Sequence, residues 1–139
     1  SDGSEVNASS KNYVMYSWTG IQGFSKFGSY EGNGNADGPF VYTGFRPAMV
    51  ILKKTSGTGG WYTYDIKRPG RNNENGYLQA DTTSAEDTNS GNFGFDILSN
   101  GFKLRGTYTT INESGGTFVY MAWAEQPLVN SKGVPNNAR

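Results

Sequence analysis

Residues 93–106 read FGFDILSNGFKLRG, and the alternation within this stretch decides the fold class. Apolar residues recur at every second position on both sides of Asn100-Gly101, a dipeptide suited to the positive φ angles of a two-residue type I′ hairpin turn. Pairing outward from that turn sets Ile97 opposite Leu104 and Ser99 opposite Phe102, so Phe93, Phe95, Ile97, Phe102 and Leu104 share a core face. Asp96 falls opposite Arg105 on the other side, an opposite-charge pair suited to solvent and worth about 0.2–1 kcal/mol.

Neighbouring stretches extend the same architecture. PAMVILKK (47–54) and FVYMAWAE (118–125) run apolar without alternation, the pattern of strands covered on both faces, and read as central strands of two packed sheets. GWYTYDIK (60–67) sets Trp61, Thr63 and Asp65 on one side and Tyr62, Tyr64 and Ile66 on the other, as a half-buried strand does. Further strands are expected at 12–18, 22–30, 39–43 and 77–80. The prediction is an all-β fold: an antiparallel, jelly-roll-like β-sandwich of about eight or nine short strands.

Composition agrees. The 139 residues suffice for a single domain, and the 20 glycines together with 14% aromatics describe short punctuated strands, with no window periodic enough for a long helix. Twelve basic residues cancel twelve acidic ones, so no net field draws the chain to nucleic acid, and no apolar run is long enough for membrane insertion as a helix. Cys and His are both absent, which removes Ser-His-Asp and Cys-His nucleophilic sites and the usual zinc ligand sets. These absences predict a protein that is not an enzyme and needs no cofactor. The missing initial Met suggests a fragment or a processed product.

The two ends of the chain carry one pattern twice. VNASSKNYVMYSW aligns without a gap on INESGGTFVYMAW, Val6 on Ile111 through Trp18 on Trp123, with Asn7, Ser9, Val14 and Trp18 matched by Asn112, Ser114, Val119 and Trp123. A strand needs partners for its backbone and its apolar side chains, so this leading strand (within 1–18, resembling 106–123) is expected to dock. Two origins are open: it begins this domain natively, which is the more economical reading, or it closes a preceding unit and lies here beside the sheet. Residues 125–139, with two prolines and no strand pattern, read as an extended C-terminal arm of the single domain 1–139.

A resemblance adds to this reading. The run GFSKFGSYEGNGNADGPFVYTGFRPAMVILKKTSGTGGWYTYDIKRPG, with LSNGFKLRG and GGTFVYMAWAEQP downstream, resembles a C-terminal module of bacteriophage tail-fibre and tail-associated receptor-binding proteins, especially of marine phages. It covers most of residues 13–139. Its most specific parts are YTGFRPAMVILKK, WYTYD, YMAWAE and the Y-V-x-Y-x-W pattern at Tyr13 to Trp18, and the ending GVPNNAR looks like that family's natural C-terminus. The resemblance implies an all-β adhesin or fibre-tip domain on the virion, extracellular, a homotrimer with other tail-fibre subunits, and no enzyme. Its expected partner is a host surface polysaccharide or lipopolysaccharide. The alternative is a structural or decoration module that binds no host molecule and mediates trimer or fibre assembly, with Pro127, Leu128 and Val129 pressed against another chain.

Sugar recognition sets flat rings against pyranose faces and flanks them with carboxylate, amide and guanidinium groups. The richest such grouping is WYTYDIKRPGRNN: Trp61, Tyr64, Asp65, Lys67, Arg68, Arg71, Asn72 and Asn73, with an exposed Tyr77 beyond. Against it stands the ordinary reading that strand aromatics pack a core and a basic loop is merely solvated. NGNADG (33–38) places Asn33, Asn35 and Asp37 as in the first half of a calcium loop. Its first ligand is Asn rather than Asp, and Gly44 stands where a bidentate Glu would be needed, so a structured turn is favoured over a metal. Asp65, Glu74, Asp81, Glu86 and Asp87 are the loop acids from which a glycosidase pair could be drawn, and they read as solvating.

Overall fold

The hairpin forms with the predicted faces and a displaced turn. In the computed structural model, which describes residues 8–68, 72, 76–88, 91–127 and 129–132, strand β6 (Phe95–Leu98) pairs with β7 (Gly101–Leu104). Ile97 lies opposite Phe102 and Leu98 opposite Gly101, so the two-residue loop is Ser99-Asn100 and not Asn100-Gly101. Neither Asn100 nor Gly101 has positive φ, which excludes the type I′ turn. A slip of two residues preserves every face: Phe95, Ile97, Phe102 and Leu104 are buried. Gly101 answers to a different demand. A Cβ there would stand 2.1 Å from the Val41 carbonyl oxygen, so the glycine admits the neighbouring strand β2 (Phe40–Tyr42) rather than the turn.

The remaining strands are β1 (Ser25–Glu31), β3 (Pro47–Lys54), β4 (Trp61–Asp65), β5 (Leu78–Gln79) and β8 (Thr117–Ala124). Two antiparallel sheets result, a five-stranded one in the order β1-β8-β3-β4-β5 and a three-stranded one in the order β2-β7-β6. The fold is sandwich-like and all β but for a 3-10 turn at Gly91–Phe93 and one helical turn, α1 (Thr109–Asn112). The eight strands among the described residues fall within the expected count.

The core lies between the sheets and is built of rings. Tyr64 stacks on Phe95 with centroids 4.4 Å apart, Phe95 on Phe102 at 5.0 Å, and Tyr30 on Phe118 at 5.0 Å. Val50 and Leu52 fill the middle, and each such side chain contributes about 1.5–3 kcal/mol by leaving water. The Tyr30 hydroxyl donates to the Ile111 carbonyl at 2.7 Å, and burial pushes its phenol far above the ordinary tyrosine range. Asn112 is fully buried and acts as a tie: its side-chain nitrogen donates to the Asn35 and Gly106 carbonyls at 2.9 Å each, and its oxygen accepts the Asn33 N–H at 2.9 Å.

Two expectations need correction. β3 and β8 are adjacent strands of one sheet, not central strands of two, and only their inner faces are buried. Cross-strand partners share a face, so Phe27, Met49, Ile51, Met121 and Trp123 form an outer apolar face that is half-buried. The leading segment is likewise not a strand. Residues 11–20 carry no regular structure and are exposed throughout, Val14 at 80% and Met15 at 86%.

Candidate functional site

The grouping predicted at 61–77 is divided by the pleat. Trp61 stands on the outer sheet face, 37% exposed, opposite Lys53, and its backbone N–H donates to Asp81 Oδ1 at 3.0 Å. Tyr64 is fully buried on the opposite face, its hydroxyl donating to the Phe93 carbonyl at 3.2 Å. Tyr77, expected to be exposed, is buried too. Its ring lies 4.4 Å from Phe93 and its hydroxyl 3.2 Å from Asp87 Oδ2. Burial first, and then the Asp87 charge, push its phenol up to about 12.

The polar members of the grouping are spent on the fold. Asp65 Oδ1 accepts the Lys67 N–H at 2.9 Å, leaving the exposed Lys67 side chain in solvent. Arg68 Nη1 pairs with Glu86 at 2.7 Å, and its Nε lies 2.8 Å from Asp65 Oδ2, an ion-pair distance not aligned for a hydrogen bond. Asn72 Oδ1 accepts the Ile97 N–H at 3.2 Å, spending this amide on the β6 edge. Arg71 and Asn73 lie outside the described residues. The structure therefore does not unite the predicted residues on one surface: Trp61 and Asp65 remain on the outer face, and Tyr64 and Tyr77 belong to the core.

In NGNADG the oxygens that would ligate calcium turn inward on the loop. Asn33 Oδ1 accepts the Asn35 N–H at 3.0 Å, and Asn35 Oδ1 accepts the Asp37 N–H at 2.8 Å, a pair of side-chain turns that explains the recurrence of Asn. Asp37 Oδ1 lies 2.7 Å from Lys103 Nζ and 3.4 Å from Arg105 Nη1, and the Lys103 ammonium holds the carboxyl below its ordinary range. Arg105 Nε donates to Asp96 Oδ2 at 2.6 Å, so the predicted Asp96–Arg105 pair forms as a diagonal neighbour across the hairpin, on a largely buried Asp96 rather than in solvent. Among the described residues no group of three His, Cys, Asp or Glu side chains could hold a metal ion. No helix there is long and apolar enough to cross a membrane.

A better-formed concavity lies elsewhere. The turn before β1 closes on itself through Ile21 and Ser25, whose backbones exchange hydrogen bonds at 3.0 and 2.9 Å, while Ser25 Oγ donates to the Thr19 carbonyl at 3.0 Å. Across from this turn, the end of β2 and residues 43–45 form the other wall. Between them lies an open groove of about 350 Å³, with buried Phe45 among its lining residues. Tyr42, 58% exposed, stands at its rim. Lys26 Nζ donates to the Tyr42 carbonyl at 2.8 Å and sits 5.1 Å from the ring centroid, where the ammonium meets the negative π face. The exposed Gln22 amide and the apolar floor complete it, while the buried Ser25 and Thr43 hydroxyls of its lining donate to the Thr19 and Phe45 carbonyls.

Sequence reasoning missed this groove because its walls come from residues 20–26 and 42–45, which only the fold brings together. The one local signal was FVY at 40–42, where alternation buries Val41 and turns Phe40 and Tyr42 outward.

The molecule is thus a two-sheet antiparallel β domain with an aromatic core and an open groove beside its first strand. It belongs to a family described as a domain of unknown function (DUF7483), whose model matches residues 1–127 and so takes in the leading segment as well as every strand. No curated protein and no solved structure matches the chain.

Proposed function

We propose that this chain is a receptor-binding domain of a bacteriophage tail fibre and that it holds a host surface glycan in the Tyr42 groove. The observation that carries the reading is an exposed ring at the rim of a concavity, flanked by an ammonium and an amide. That combination suits a pyranose, with apolar C–H faces and a girdle of hydroxyls. The resemblance of YTGFRPAMVILKK, WYTYD and YMAWAE to tail-fibre modules supplies the biological setting. Lys26 adds a preference for sugars bearing carboxylate or phosphate groups, which are acceptors for its remaining protons.

Arrays of bacterial surface polysaccharides test this. Binding should be found, and Tyr42→Ala should weaken it by at least about tenfold, the effect of losing about 1.4 kcal/mol, with an unchanged melting temperature. Binding that survives Tyr42→Ala and falls with Trp61→Ala would move the site to the outer sheet face. Failure to bind any bacterial polysaccharide would sink the glycan reading. The assembly-module alternative is favoured by one observation, the exposed apolar leading segment, and that segment has a consequence of its own.

A further inference from the structure

We infer that the leading segment Tyr13–Trp18 is a donor strand, which adds to the free edge of β1 in a second copy of this chain. The inference does not rest on the glycan reading.

The acceptor is defined by the hydrogen-bond alternation of β1. The Ala124 N–H donates to the Phe24 carbonyl and the Gly32 N–H to the Gly116 carbonyl, so even-numbered residues of β1 face β8. Phe27, Ser29 and Glu31 therefore turn their N–H and C=O groups to the other side, where no described strand pairs with them. Ser25 is the exception, its outward groups being taken by Ile21 of the same chain. An open row of peptide groups beside a half-buried apolar face is a template for one more strand.

The donor is defined by its likeness to β8, the strand that already pairs with the opposite edge of β1. Tyr13, Met15 and Ser17 align with the inward Phe118, Tyr120 and Ala122, and Val14, Tyr16 and Trp18 with the outer-face Val119, Met121 and Trp123. Yet Val14, Met15 and Tyr16 are 80%, 86% and 75% exposed, Tyr16 stacking on Trp18 of the same segment at 6.1 Å. Laid antiparallel on β1 with the facing of β8, the donor sets Tyr16 opposite Phe27 and Val14 opposite Ser29. Val14, Tyr16 and Trp18 then widen the outer apolar face of Phe27, Met121 and Trp123.

The same chain cannot supply this pairing. The Ile21–Ser25 bridge fixes the register of any hairpin within one chain, continuing as Thr19 opposite Phe27 and Ser17 opposite Ser29. That register differs by three residues, an odd number, so it turns Val14, Tyr16 and Trp18 to the inner face. There Trp18 would meet Gly28, whose side-chain space is already filled: a Cβ on Gly28 would stand 2.9 Å from the Tyr120 ring. A donor from another copy escapes both restrictions, and twelve acidic against twelve basic residues leave two copies without net repulsion.

The absence of native cysteine gives a clean test. Chains carrying Val14→Cys are mixed with chains carrying Ser29→Cys under mild oxidation; both positions are exposed, so both variants fold. The mixed disulfide should form at least about tenfold faster than in a mixture of Ser17→Cys and Ser29→Cys chains, because strand pairing raises the local thiol concentration. Light scattering should give a mass above the 15.1 kDa of one chain, and Val14→Asp with Tyr16→Asp should return it to that value. Disulfide closure within a single Ser17→Cys, Ser29→Cys chain, or a monomeric wild type together with no mixed disulfide between the Val14→Cys and Ser29→Cys chains, would overturn the inference.

Discussion

Residues 13–18 and 118–123 spell nearly the same strand, and the molecule treats them oppositely. Phe118 and Ala122 are fully buried between neighbours on both sides, whereas their counterparts Tyr13 and Ser17 are exposed. The difference teaches that an apolar, β-branched and aromatic pattern specifies what a segment can pair with. Whether it pairs depends on an edge being available in the right register.

The sharpest way to break the comparison is to truncate both members of an aligned pair. Tyr120→Ala should cost about 3–5 kcal/mol in chemical denaturation, because it empties a packed site between the sheets. Met15→Ala in dilute solution should lie within about 0.5 kcal/mol of wild type, as for an exposed position. Equal losses would mean that the leading segment packs against its own domain. Asn112→Ala comes next at about 3 kcal/mol, since the Asn33 N–H and the Asn35 and Gly106 carbonyls lose their partner together. Its aligned counterpart Asn7 lies outside the described residues.

Alkali sharpens the contrast between buried and exposed tyrosines. The folded pKa of Tyr77 is raised from 10.0 to about 12, so its contribution to stability is fully present below pH 10 and is lost as pH rises toward 12. The denaturation midpoint should fall across that window, and Tyr77→Phe should make the fall shallower. A modest effect is expected from Trp61→Ala, no more than about 1 kcal/mol for a ring on the outer face.

Much of the fold was legible because strand faces follow a period of two that survives errors of detail. The hairpin's core residues were identified although its turn was misplaced, since a slip of two residues leaves parity intact. The turn itself was misread because glycine has two uses, and Gly101 serves the approach of β2. The candidate site was less legible. Tyr77 follows a polar loop and looks solvated, but it is buried by Tyr62 and Phe93, both distant in sequence. Asp65, Arg68 and Asn72 have the chemistry of a binding loop, and the structure spends that chemistry on local ties. The Tyr42 groove joins two segments that no local pattern connects.

The carbonyl of Asn100, at the tip of the β6–β7 hairpin, accepts hydrogen bonds from both Thr43 and Gly44, at 3.0 and 3.1 Å. The groove wall is thereby tethered to the tip of that hairpin. Deuterium uptake at these two amides becomes a clock for the groove: slower exchange when a ligand stiffens the wall, faster exchange when the hairpin tip loosens.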